Sequence, residues 1–281
     1  MKTQVTQQPT KARATSYLAR VQRRLATEAT RTLFRRRLSV RTPLPLISFT
    51  FDDFPRSALF EAGSILMRYG ALGTYYASLG LMGKPSPVGP IYEVEDLTEL
   101  VSQGHELGCH TFGHAHSWNT PPDAYEKSIV ENQQALNAVL PGVSFQTFAY
   151  PHSAPRLAVK RVAGSHFKCC RAGGLKAGRY VHRHSAGGQT FNSGVIDLNC
   201  LCAFFLEKSR NDPNAVKTLI NQNARARGWL ILATHDVCVN PGPFGCTPDF
   251  FERVVQWSVE SGARILPVVK ALEVIKSSQP T

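Results

Sequence analysis

No apolar run in this 281-residue chain approaches the ~20 residues that span a bilayer. No apolar core follows the N-terminus as a secretory signal requires. The expectation from both absences is a cytoplasmic chain. The seven cysteines fit neither a zinc framework nor a small secreted disulfide scaffold. Cys200 and Cys202, two apart in apolar surroundings, read as core thiols in a reducing compartment. Acids are scarce at one end only: residues 1–43 hold one, Glu28, against eleven of the 32 Lys/Arg. The body beyond is close to neutral and carries no basic–aromatic stripe. That argues against a nucleic-acid surface despite the net charge of +12.

What is present divides the chain in two. Residues 1–43 form a basic arm, and residues 44–281 form one domain, with enough apolar residues (43% of the chain) for a sizeable core. Within the arm, Leu18, Val21, Leu25, Ala29 and Leu33 recur at helical spacing among arginines, which predicts a basic helix over 17–38. Three readings stay open: peripheral contact with an anionic membrane, an organelle transit peptide, or a solvated arm packed on the body. The run Thr42-Pro43-Leu44-Pro45 ends the helix and admits the first strand.

Strands and helices then alternate. Strands are predicted at 47–53, 72–79, 105–109, 145–150, 229–234 and 264–268, with an extended stretch at 166–171. Helices are predicted at 56–69, 95–103, 123–140, 155–163, 212–227, 248–261 and 269–276, and the glycine-rich stretch 172–195 reads as irregular. Repeated strand–helix units imply a mostly parallel sheet, open or closed into a barrel, with its chemistry at the carboxyl ends of the strands.

Four of those ends carry chemistry. The first strand ends in Asp52-Asp53, and the one at 105–109 ends in His110-Thr111-Phe112-Gly113-His114. The strand at 145–150 runs into Tyr150-Pro151-His152, and the one at 229–234 into His235-Asp236. Adjacent carboxylates resist joint burial without a cation or a proton. Two imidazoles at i, i+4 and a carboxylate on one rim suit a divalent metal with open positions. Each feature alone has an ordinary explanation, such as a strand cap or a surface histidine; their order along successive strand ends does not.

These residues resemble the polysaccharide deacetylase (NodB-homology) family, carbohydrate esterase family 4. Thr50-Phe51-Asp52-Asp53, the His110–His114 pair after Gly104-His105-Glu106-Leu107-Gly108, Phe148-Ala149-Tyr150-Pro151 and Leu232-Ala233-Thr234-His235-Asp236 carry the likeness over about residues 44–275. The resemblance implies an α/β fold, a distorted (β/α) barrel, and metal-dependent removal of a small acyl group, first of all N-acetyl, from an amino sugar or polysaccharide. It implies Asp53, His110 and His114 as metal ligands, zinc being the first candidate ion. Asp52 would be the base and His235 the acid, and the His152 N–H would hold the oxyanion. Tyr150, Pro151 and Trp118 are the residues expected against substrate.

Two departures stand out. Ala149 occupies the place of an arginine that pairs with the family's catalytic Asp, so Arg156 or Arg171 must replace it or the pair is missing. No D-x-x-D-W-like motif is found; Asp197 is the only candidate. His182 and His184 read as surface residues. Two other readings are a deformylase or deacylase of a lipid-linked sugar at the cytoplasmic membrane face, and a non-catalytic glycan-binding relative.

Overall fold

A computed structural model describes residues 26, 28–153, 155–176, 179–181 and 190–279. The first part of the expected basic helix, and His182 and His184, lie outside the described residues.

The chain order of the elements used below begins with β1 (Arg37–Val40), β2 (Leu46–Phe51), α1 (Ser64–Arg68), β3 (Thr74–Ala77), α2 (Val94–Ser102), β4 (Glu106–Cys109), α3 (Pro122–Val139) and β5 (Thr147–Ala149). It continues with α4 (Leu157–His166), β6 (Cys169–Arg171), β7 (Gly194–Asp197), β8 (Phe204–Phe205), α5 (Pro213–Ala226), β9 (Trp229–Thr234), α6 (Pro248–Glu260), β10 (Arg264–Ile265) and α7 (Val268–Ser277). The main sheet has eight strands in the order β8-β9-β2-β3-β4-β5-β6, with β10 also on β2. All its pairings are parallel. It curls into a distorted barrel, and an irregular segment closes the gap. Ala172 N–H donates to Leu201 O at 2.8 Å on the β6 side, while Phe204 pairs with Leu232 of β9.

A period of two decides what faces inward. Ile47, Phe49 and Phe51 join the core beneath the helices, where Phe49 meets Phe251 of α6 edge-on at 5.3 Å. Leu46 joins Trp229, Ile231, Ala233 and α7 in a second core on the inner face, and Trp229 Nε1 donates to Ser48 Oγ at 3.0 Å. All six residues of β2 and all six of β9 are buried, as central parallel strands require.

The floor of the barrel explains the run before the histidine pair. Glu106 accepts from the hydroxyls of Thr74 and Thr147 and, at 2.9 Å, from Val269 N–H at the start of α7. Burial pushes its carboxyl above the usual range. His105 Nδ1 accepts from Gly73 N–H at 2.9 Å. A Cβ on Gly108 would lie 2.5 Å from the Tyr76 ring, so only glycine lets that ring occupy the interior.

Several boundaries differ from expectation. The helix expected at 56–69 opens as a π-helical turn, Ala58–Gly63, before α1. The last strand stops at Ile265 because Pro267 caps α7. The stretch 172–195 contains a short antiparallel pair, Gly174–Lys176 with Arg179–Val181, and the start of β7.

The boundary at residue 43 also moves. β1 pairs antiparallel with β7, and Val40 is buried in the inner core. Lys160, fully buried, donates to the carbonyls of Thr30 (2.7 Å) and Leu33 (2.8 Å) and lies 2.6 Å from Asp197 Oδ2. It thus satisfies the carbonyl end of the arm's last helical turn. From Glu28 onward the arm belongs to the body. Asp197 is a structural anchor there.

Among the described residues no helix is long and apolar enough to cross a membrane.

Candidate active site

The inward parity of each strand carries forward to its end. Asp52 follows Ser48 and Thr50, His110 follows Glu106 and Gly108, Arg171 follows Cys169, and His235 follows Ile231 and Ala233. All four are buried and meet at one rim.

Parity alone would send Asp53 outward. Instead Asp53 and Phe54 take left-handed backbone conformations, φ 61° and 47°, and the carboxylate turns onto the rim. Six of the eight non-glycine residues with positive φ among the described residues lie here: Asp53, Phe54, Thr111, His114, His152 and Ser153. Such strain persists where surrounding structure over-determines it, and it concentrates at functional sites.

Asp53, His110 and His114 converge with one ligand atom from each, all within 4.8 Å of one another. Asp53 Oδ1 lies 3.3 Å from His114 Nε2 and 3.7 Å from His110 Nε2, and this buried oxygen accepts no hydrogen bond. His110 Nδ1 is 2.8 Å from Ala149 O, a carbonyl that only accepts, so Nδ1 carries the proton and the Nε2 lone pair faces Asp53. Burial, the largest influence on His110, takes its pKa down to about 4 and keeps the ring neutral. An orphan carboxylate oxygen facing an imidazole lone pair is what a divalent cation would satisfy. The donor set fits such an ion, with coordination positions left for solvent and substrate.

Asp52 sits behind this group. Its amide donates to Thr234 O at 3.0 Å, and its carboxylate is ion-paired with Arg171. Burial alone would raise its pKa, but Arg171, with help from His110 and His235, holds it at about 2. Arg171 itself is held between the rings of Tyr76 (5.2 Å) and Phe205 (5.5 Å). Of the two arginines weighed from the sequence, Arg171 is the partner; Arg156 donates to Thr120 O at 2.8 Å.

His235 closes the rim from β9. Its Nδ1 and its backbone N–H both lie 3.3 Å from Phe244 O, which leaves Nε2 facing the site, 3.9 Å from Asp53 Oδ2. Asp236 turns away and accepts from Gly242 N–H at 2.6 Å. It organises the loop rather than the chemistry.

On the opposite side, His152 is exposed, with its ring 4.7 Å from that of His114 and 4.5 Å from that of His116. Partial desolvation by the surrounding loops, and the two neighbouring imidazoles, lower its pKa to about 4. Tyr150 and Pro151 are buried, and the Tyr150 hydroxyl donates to Asn199 O at 3.0 Å. They form the support under His152 and offer no exposed face to a sugar. Trp118 is half-buried, its amide donating to His116 Nδ1 at 3.1 Å.

Sequence reasoning did not find Tyr76, Phe205 or Phe244. Tyr76 was signalled by the glycine at 108. Phe205 and Phe244 carried no local signal, because their roles arise from contacts between distant segments.

Residues 39–166 match the family described as polysaccharide deacetylase. Among solved structures, a family 4 acetyl xylan esterase from Clostridium thermocellum, in complex with cobalt, is 17% identical with a TM-score of 0.51; the match covers 82% of this chain and 91% of that one. A peptidoglycan deacetylase from Bacillus subtilis is also 17% identical with a TM-score of 0.51, covering 85% and 95%. A family 4 pseudoenzyme from Bacillus anthracis is 10% identical with a TM-score of 0.53, covering 83% of this chain and 66% of that one. These likenesses establish the fold, which active and inactive proteins share. With residues 39–166 matching the polysaccharide deacetylase family and its four motifs on one rim, the chain is similar to that family and shares the fold of its solved members.

Proposed function

We propose that this protein is a metal-dependent hydrolase that removes a small acyl group, N-acetyl first, from an amino sugar or oligosaccharide. The observation that carries the reading is the orphan Asp53 oxygen facing His110 and His114, beside an Asp52 held ionised by Arg171. Asp53, His110 and His114 would hold the ion, zinc being the first candidate. A bound divalent ion supplies Lewis acidity, which activates water near neutral pH and polarises an acyl carbonyl.

The chain's own residues do the rest. Asp52, ionised through the neutral range, accepts the proton of the attacking water. Arg171 fixes the direction of that carboxylate. The backbone N–H of His152 donates to the developing oxyanion. His235 delivers a proton to the departing nitrogen from Nε2. Without that proton the amide nitrogen is a poor leaving group.

Metal content and acetate or formate release from a panel of N-acylated amino sugars test this reading. The expected result is one bound divalent ion and metal-dependent release. Metal-loaded protein that releases neither acid from any member overturns it and leaves a non-catalytic relative.

A lipid-linked sugar is a second reading, favoured by one observation. Leu33 and Phe34 are about half exposed, beside exposed Arg35 and Arg37 on the basic arm. Apolar side chains among arginines suit an anionic lipid surface, which would put the protein at the cytoplasmic face of a membrane.

A further inference from the structure

One exposed phenylalanine needs no explanation by itself. Phe244 differs because its loop is built to hold it. Asp236 accepts from Gly242 N–H at 2.6 Å and, through its carbonyl, from Cys246 N–H at 2.9 Å. From the far side, Arg210 donates to Gly245 O (2.6 Å) and Gly242 O (2.5 Å). A Cβ on Gly245 would lie 2.2 Å from Asp236 Oδ1, so the close approach requires glycine. The result is a rigid loop whose Phe244 ring stays 41% exposed, 5.4 Å from the His235 ring at 44°. On its other face His235 lies 6.4 Å from the buried Phe205 ring. His235 is therefore bracketed by two aromatics, one sealed and one open.

We propose that the open ring of Phe244 is a specificity platform for the sugar that carries the leaving nitrogen. The inference rests on His235 being the acid that protonates that nitrogen. A proton donor must come within about 3 Å of its acceptor. The sugar carbon bonded to the nitrogen then lies beside His235, and the ring attached to it reaches Phe244. A pyranose presents a face of C–H groups, and covering that face with an aromatic ring removes apolar surface from water on both sides. The acyl group points the other way, toward Asp53. Phe244 therefore selects for the sugar and is indifferent to the acyl group.

The test compares tri-N-acetylchitotriose with 4-nitrophenyl acetate, an acetyl ester without a sugar, on the wild type, Phe244→Ala, Phe244→Trp and Val239→Ala. Val239, 79% exposed on the same loop, is the control. Phe244→Ala is expected to lower the ratio of kcat/KM for the trimer to that for the ester by about 3- to 10-fold, through KM. Phe244→Trp should restore the ratio, and Val239→Ala should leave it unchanged. An unchanged ratio in Phe244→Ala, or an equal loss on both substrates, overturns the platform; equal loss would mean the ring only supports His235. If the wild type turns over neither substrate, the proposed activity fails, and trimer binding decides instead. Wild-type binding that weakens at least 3-fold in Phe244→Ala keeps the platform, and a wild type that binds no trimer ends it.

Discussion

Two carboxylates at opposite ends of one barrel have opposite surroundings. At the floor, Glu106 accepts from two threonine hydroxyls and a helix N–H. At the rim, a buried oxygen of Asp53 accepts nothing and faces two imidazoles. A satisfied buried acid rigidifies; an unsatisfied one awaits a partner. The backbone repeats the contrast, since the left-handed residues gather at the rim. Stability and chemistry are thus separated along the barrel axis.

The largest expected effects break the rim. Asp52→Asn should retain the metal yet lower turnover by about 10²–10⁴-fold, the contribution of a positioned base. Asp53→Asn and His114→Ala should lose metal affinity instead. Metal content and turnover on the same preparations separate the two roles, and a reversed pattern swaps them. Arg171→Met removes the cation that does most to oppose burial at Asp52. The acid limb of the pH–rate profile should then move to higher pH, while metal content stays.

Breaking the floor should do the converse. Glu106→Leu strands two hydroxyls and the Val269 N–H, and is expected to cost about 2–4 kcal/mol in urea unfolding. Turnover per folded molecule should stay within a factor of about two, because the site lies at the other end. A Glu106→Leu protein with wild-type stability would dissolve the contrast.

Acid titration gives a smaller, graded effect. His105, His110 and His152 are all held down to about 4 from an ordinary value of 6.5. In that window the unfolded chain binds protons that the folded chain refuses, so stability is highest above pH 6.5 and falls as pH drops toward 4. Asp52 has the opposite origin but the same direction: its stabilisation is present above 3.8 and lost as pH falls toward 2. Thermal midpoints of metal-free protein against pH check this. A flat profile between pH 6.5 and 4 would contradict the neutral imidazoles of the buried His105 and His110.

The smallest effect sharpens where the body begins. Removing residues 1–25, which carry six Lys/Arg and no acid, should weaken binding to anionic vesicles at low salt without moving the thermal midpoint. Removing residues 1–43 should lower the midpoint, because Lys160 would lose the carbonyls of Thr30 and Leu33. Full-length protein that ignores such vesicles at low salt refutes the membrane reading.

Much of this was legible in the sequence. The strand Trp229–Thr234 lies where its apolar run placed it, and the expected strand ends do share one rim. What escaped was long-range. Arg171 reaches Asp52 across 119 positions, and nothing local separates it from Arg156. The helical spacing of residues 17–38 predicted a basic helix, but among the described residues the helix ends at Thr32 and Arg37–Val40 is strand β1, paired with β7; register between distant strands leaves no local trace. The supports under His152 were read as contact residues since an aromatic beside a motif looks the same exposed or buried.

The segment that closes the barrel has one more consequence. Between β6 and β8 the wall is held by a few loop hydrogen bonds, including Leu201 N–H to Cys170 O and Ala172 N–H to Leu201 O, both 2.8 Å. Elsewhere strands zip together, as β2 does with β9 over six residues. Amides along this seam should therefore exchange with solvent through local opening, well before the β2–β9 amides, which exchange only on global unfolding. Phe205 lies on the seam and touches both Arg171 and His235. Each brief parting of the wall would loosen the base and the acid together, so the lifetime of the assembled site is set by a seam and not by the core.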